Sequence, residues 1–259
     1  MPRFILFLLA ALLFCAFPAH RPPVAAQSLT KIQPPKSLDD VRFEELAPGV
    51  WRDISYDSVS GLGPYPANGL VAFTKNGVLV VDPGWTPTHG KNISRWIRER
   101  AGNAPLTVIP THFHYDRVGG LPGVPSRKGN RFLVFDKTVE LLKDDAKKLP
   151  AFETFKGERT ITLGGETYDV FYPGPGHTTD NIVIYCRSSR VLFGGCFVKS
   201  LDSGGLGNVA DADVERWSAS IDAVFKRFPD IKIVVPGHGD PGGVELLTHT
   251  QELLKKAKK

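Results

Sequence analysis

The residues best suited to chemistry stand together in Thr111-His112-Phe113-His114-Tyr115-Asp116-Arg117. The apolar run Leu106-Thr107-Val108-Ile109 precedes them and Val118-Gly119-Gly120 follows. That order predicts a strand whose end hands two imidazoles and a carboxylate to a turn. In extended or turning backbone alternate side chains share a side, so His112, His114 and Asp116 are expected to converge. Neutral imidazole and carboxylate suit a borderline cation such as zinc. A polar loop with two hydrogen-bonded histidines fits the same stretch, and the rest of the chain has to decide between them.

Three further ligand-type residues occupy the same kind of place, a strand end with glycine beside it. They are His177 in Pro173-Gly174-Pro175-Gly176-His177, Cys196 after Phe193-Gly194-Gly195, and His238 in Gly237-His238-Gly239. Strand ends on one edge of a layered domain are where a site can be assembled from distant segments. His89 and His249 lack that setting and are expected at the surface. Asp82, at the end of Val78–Val81, fits either a support for a ligand histidine or a turn cap.

The elements that must position these residues follow from periodicity. Strands are predicted over Val41–Leu46, Val50–Tyr56, Leu70–Thr74, Val78–Val81, Leu106–Ile109 and Phe132–Phe135. A β-meander is predicted from Thr160–Leu163, Tyr168–Tyr172, Ile182–Cys186 and Val191–Phe193, and a last strand over Ile231–Val235. Helices are predicted over Lys91–Arg100, Lys137–Lys148, Val214–Phe228 and Val244–Lys256, with Trp96 in the core. Ser58–Asn68, with two glycines and two prolines among apolar Leu62 and Tyr65, predicts an exposed loop able to cover part of a substrate. Strands and helices alternate throughout, so one layered α/β domain is expected over residues 41–259.

The chain has 259 residues, 42% of them hydrophobic, and a net charge of +5. No basic run interleaves with aromatics, which argues against nucleic acid and leaves a small anionic substrate compatible. Arg3, the apolar run Phe4–Phe17 and the small residues Val24-Ala25-Ala26 predict a cleaved signal peptide over 1–26. The run is too short for a comfortable membrane span. Residues 27–40, rich in proline, serine and charge, predict a flexible leader. The mature protein is thus expected in the periplasm, off the membrane, and to retain only Cys186 and Cys196. Cys186, ending an apolar strand, is expected to be a buried structural thiol. A free thiol at Cys196, outside the cell, would be protected by a metal.

Taken together, His-x-His-x-Asp-Arg, Gly-His-Thr-x-Asp-Asn, Gly-Gly-Cys-x-x-Lys, Gly-Asn and Gly-His-Gly, in that order from Asn68 onward, resemble class B, subclass 1 metallo-β-lactamases. The resemblance implies a four-layer αββα sandwich with two zinc ions in a groove at one edge. It implies that His112, His114 and His177 hold one zinc and Asp116, Cys196 and His238 the other. It also implies catalytic roles for Asp116 and Asn208, with Asn208 near the lactam carbonyl and Lys199 on the substrate carboxylate. Leu62 and Tyr65 lie where the family has a mobile flap over its substrate. The implied activity is hydrolysis of the amide bond of penicillins, cephalosporins and carbapenems, giving antibiotic resistance, in a monomer.

Elementary chemistry supports that expectation. Zinc lowers the pKa of bound water to roughly 7, which supplies hydroxide without a protein nucleophile. A three-histidine site leaves a position open for it. Thioesterases, lactonases and phosphodiesterases of this superfamily usually carry histidine where this chain has Arg117, and a bridging aspartate where it has Cys196. Guanidinium stays protonated and cannot be a ligand. An exported thioester or lactone hydrolase is therefore the alternative activity, and a non-catalytic zinc-binding protein the alternative of another class. Ser28-Leu29-Thr30-Lys31 fits Ser-x-x-Lys, but it has no Ser-Asp-Asn or Lys-Thr-Gly partner for serine chemistry.

Overall fold

Apolar strands buried on both faces set the architecture. The computed structural model describes residues 35–257. The signal-peptide expectation and residues 27–34 of the leader lie outside them. The first sheet begins with β1 (Val41–Ala47), β2 (Val50–Val59), β3 (Gly63–Thr74) and β4 (Gly77–Val81), paired antiparallel in chain order. Helix α1 (Pro87–Ala101) crosses to β5 (Leu106–Ile109), and the sheet ends with β6 (Arg131–Phe135) and β7 (Glu153–Phe155), all parallel from β4 onward. The second sheet runs antiparallel through β8 (Arg159–Leu163), β9 (Glu166–Phe171), β10 (Val183–Cys186) and β11 (Val191–Gly195). Its last strand, β12 (Ile233–Pro236), is parallel to β11.

The two sheets face each other across a core that includes Leu70, Leu79, Ile109, Phe135, Ile184, Phe193 and Val235. On the outer face of the first sheet, α1 packs Ile93 and Ile97 onto Val78, Val80 and Val108. On the outer face of the second, α4 (Val214–Arg227) and α5 (Glu245–Ala257) bring Trp217, Ile221, Leu246 and Leu253 against Val183, Leu192 and Val234. The result is the expected αββα sandwich. It also explains why β4 and β5 read as unbroken apolar runs, since each is covered on both sides. No helix among the described residues is long and apolar enough to cross a membrane.

Several expectations need correction. The predicted loop over Ser58–Asn68 is a hairpin, with β2 and β3 paired in register out to Val59↔Gly63. Its prolines misled. Pro64 and Pro66 are two residues apart, so both imide nitrogens face the side of β3 that β4 leaves unpaired beyond Leu70. The turn expected to carry Asp116 is a short helix, α2 (Tyr115–Val118). The second predicted helix stops early: α3 covers Asp136–Leu142, and Lys143–Lys148, which buries no residue, continues as a 3₁₀ turn.

Neither surface histidine fits its expectation. His89 is buried inside the capping box of α1, accepting from the Thr86 N–H at Nδ1 and donating from Nε2 to Leu38 O (2.6 Å). Asn92 donates to Asp39 O as well, so residues 38 and 39 are tied to α1. His249 is partly buried beside Ser203 O (3.0 Å). Trp96 is half-buried, stacked on Phe43 and edged by Trp51, in line with a core role.

Cys186 and Cys196 are both free and buried. Burial in the inter-sheet core pushes the Cys186 thiol up to about 12, so it stays protonated at neutral pH. Cys186→Ser would set a hydroxyl among apolar neighbours and is expected to lower stability by about 1–2 kcal/mol. Metal content should not change. Urea denaturation of chelated protein, with metal analysis beside it, checks both.

Candidate metal centre

Strand ends deliver the donors. β5 ends at Ile109, and Thr111 accepts the Ile182 N–H on its carbonyl (2.9 Å), stitching the two sheets together beside His112. His112 Nε2 and His114 Nδ1 lie 3.2 Å apart, and His114 Nδ1 and His177 Nε2 also 3.2 Å. Because α2 begins at Tyr115, the backbone rotates and Asp116 turns toward a second group. There Cys196 Sγ is 3.2 Å from His238 Nε2 and 3.4 Å from Asp116 Oδ2, and His238 Nε2 is 3.2 Å from Asp116 Oδ2. The two groups adjoin, since the donor atoms of His112, His177 and Cys196 also lie within 4.8 Å of one another. All six predicted ligands therefore meet.

The supports behind the donors decide what the facing atoms are. Asp82 accepts from the Thr111 N–H (2.6 Å) and hydroxyl (2.7 Å), which leaves that hydroxyl oxygen to accept from His112 Nδ1 (3.3 Å). Asp82 thus supports His112 through Thr111. Asp211 Oδ2 accepts from His114 Nε2 (2.9 Å), and Pro66 O from His238 Nδ1 (2.6 Å). With their outer nitrogens protonated, His112 Nε2 and His114 Nδ1 present lone pairs to each other, a contact that only an electrophile satisfies. Burial, then His177 beside it, holds His112 well below the usual histidine range, and burial, then Lys199, does the same for His177. Neutral, convergent imidazoles fit a cation.

The second group is charged. Burial favours a protonated Asp116, but the Arg117 guanidinium outweighs it and holds the carboxyl well below the usual range. Burial likewise opposes a charge on His238, yet Cys196 and Asp116 raise it to about 9. Arg117 is wholly buried; its Nη2 donates to Asp116 Oδ2 (2.7 Å), Cys196 Sγ (3.0 Å) and Gly237 O (3.0 Å). Its Nη1 donates to Asn68 O (2.7 Å) and Asp82 Oδ2 (3.3 Å).

The predicted substrate residues are placed unevenly around these groups. Lys199 is buried, not a surface lysine, with Nζ 5.4 Å from the Trp217 ring, itself 5.9 Å from the His177 ring. Burial lowers its pKa, partly offset by Cys196 and Asp116. Tyr65 packs its ring 4.9 Å from that of His238. Leu62 sits at the hairpin tip, 64% exposed. Asn208 is exposed in a turn, its Oδ1 accepting from the Ala210 N–H (3.1 Å), which leaves the Nδ2 donors for another partner. Sequence reasoning missed Asp211, which lies 97 residues from His114 and carries no local signal. It also missed what Arg117 and Asn68 hold in place.

Comparison with known proteins agrees with this geometry. The profile of the Metallo-beta-lactamase superfamily matches residues 62–238. The chain is 32% identical to a type 2 metallo-β-lactamase of Bacteroides fragilis, covering 90% of this chain and 92% of that protein. It is 38% identical to one of Bacillus cereus, covering 83% of each. The solved metallo-β-lactamase of Pontibacter korlensis superposes with a TM-score of 0.77 at 36% identity, over 83% of this chain and 99% of that one. The chain belongs to the metallo-β-lactamase family, on the branch of the type 2 enzymes.

Asp211 fixes the tautomer and tilt of His114 from an exposed loop. Asp211→Ala is expected to weaken metal binding at the histidine group about tenfold. Competition against a chromophoric chelator measures it.

Proposed function

We propose that this chain is a two-zinc β-lactamase, exported through the signal peptide and working as a periplasmic monomer on penicillins, cephalosporins and carbapenems. The observation that carries the reading is the pair of adjoining donor groups, three convergent imidazoles next to Asp116, Cys196 and His238, on one edge of the sandwich. His112, His114 and His177 would hold one zinc and Asp116, Cys196 and His238 the other. Six protein donors over two ions leave coordination positions open, as catalytic sites do and closed structural sites do not. Bound zinc supplies Lewis acidity and an ionised water at neutral pH.

The chain's own residues do the rest. The buried Lys199 ammonium would receive a carboxylate as a point charge, and Asn208 would donate to the lactam carbonyl as charge grows on its oxygen. The Leu62–Tyr65 hairpin offers apolar cover that excludes water from the groove. Asp116, kept ionised by Arg117, provides a fixed negative charge beside the reacting atoms. A terminal thiolate at Cys196, in place of a bridging carboxylate, argues for lactams over thioesters, lactones and phosphodiesters.

The test is an assay of mature protein of known zinc content against a penicillin, a cephalosporin and a carbapenem. A glutathione thioester, a homoserine lactone and a phosphodiester run alongside. Chelation is expected to abolish lactam turnover and zinc to restore it. Inert lactams with a cleaved thioester or lactone would transfer the assignment to that chemistry, and tight zinc binding without any turnover would favour storage.

Lys199→Ala is expected to raise KM about tenfold or more while lowering kcat less, the pattern of binding lost equally in ground and transition states. Steady-state kinetics on several carboxylate-bearing lactams checks the split.

A further inference from the structure

A buried arginine outside the site described so far remains without a role. Arg52, on β2, is 1% exposed. Its Nε (3.1 Å) and Nη2 donate to Glu44 Oε2 on β1, so one edge of the guanidinium is spent within the sheet. The other edge reaches across 187 residues of sequence. Nη1 donates to Gly239 O (3.1 Å) and Asp240 Oδ1 (3.2 Å), and Nη2 lies 3.3 Å from the same carboxylate oxygen. Both carboxylates are partly exposed and the arginine between them is not. Burying such a charge rarely stabilises a fold by itself, and its attested use is to specify one arrangement of the groups around it.

What it specifies is the loop that follows β12. His238 sits between Gly237, whose carbonyl Asn68 N–H and Arg117 hold, and Gly239, whose carbonyl Asn68 Nδ2 (2.8 Å) and Arg52 hold. Gly239 has φ +80° and lies close under Ser200, where a Cβ would come 2.4 Å from the hydroxyl oxygen. A left-handed glycine is soft, and its peptide keeps one orientation only if neighbours fix it. Arg52 does so by gripping the carbonyl and the next side chain in its planar fork.

We propose that Arg52 is a positioning residue for His238, acting through the Gly239–Asp240 backbone to set the geometry of the Asp116–Cys196–His238 group. The proposal rests on that group being a metal site. It assigns Arg52 to one of the two groups: the loop it clamps carries His238 and none of the three histidines.

The experiment titrates metal-free mature protein with zinc against a chromophoric chelator, and with cobalt, whose thiolate-to-metal absorption reports Cys196 specifically. Wild type is expected to take two equivalents. Arg52→Met should weaken the equivalent that carries the thiolate band about tenfold and leave the other within about twofold. Arg52→Lys, a point donor without the fork, should restore part of the difference. If Arg52→Met does not fold, Asp240→Asn decides, with an expected weakening of the same equivalent of about threefold. Unchanged affinities, or equal weakening of both equivalents with a lower Tm, would reduce Arg52 to a structural residue. A wild type that takes fewer than two equivalents would overturn the two-metal reading itself, an outcome distinct from failure of the variants.

Discussion

The whole second group hangs on one buried guanidinium. Arg117 is wholly buried and has five acceptors from five segments of chain: Asp116, Cys196, Gly237, Asn68 and Asp82. An unpaired charge at that depth would cost several kcal/mol, so the surrounding anions and carbonyls are obligatory. The dependence runs both ways. Asp116 is a buried anion beside Cys196, and Arg117 supplies the charge that keeps its carboxyl ionised. Asp82 behind it is raised to about 7 by burial, with Arg117 and Thr111 pulling the other way. The same aspartate orients Thr111 and through it His112, so the two donor groups share a foundation.

Space is the second constraint. Gly237 precedes His238, and a Cβ there would stand 2.5 Å from Cys196 N and 2.6 Å from its sulfur. Only a residue without a side chain lets β12 approach β11 closely enough for Gly237 N to reach Gly195 O. The glycine beside a donor is thus a packing requirement as well as a turn. This is why glycine next to a ligand-type residue at a strand end was an informative signal in the sequence.

The two layers of strands and their covering helices were legible because burial on both faces leaves long apolar runs, and the six donors because each sits where such a run ends. What was hidden was long-range. Nothing near His114 announces Asp211, and nothing near Arg52 announces Asp240. His89 looked like a surface residue because its partners, Leu38 O and the Thr86 N–H, are backbone groups with no side-chain signature. Pro64 and Pro66 argued against a strand, since the free side of β3 is visible only once β4 is known to end at Val81. The expected convergence at Asp116 holds, since its carboxylate and the donor atoms of His112 and His114 lie within 4.8 Å of one another, although a helix of one turn begins between the second histidine and the carboxylate.

That free side of β3 is not left to solvent. The alternate residues Pro66 and Asn68 turn their backbone groups toward it, and the loop after β12 fills it: Pro66 O accepts from His238, and Asn68 N–H donates to Gly237 O. Proline at position 66 withholds the donor the loop does not need and leaves the acceptor it does. Tyr65, one residue nearer the tip, lies on the face of the same imidazole. The hairpin is therefore continuous with the loop that carries His238 and not a flap hinged apart from it. Moving Pro66 away from this loop means breaking its hydrogen bond with His238 Nδ1. Beyond the Tyr56↔Pro66 pair the strands stay in register to the tip, where Leu62 stands exposed. Pro66 and Asn68 thus tie the base of the hairpin to the loop that carries His238, and Leu62 is the part of it left to solvent.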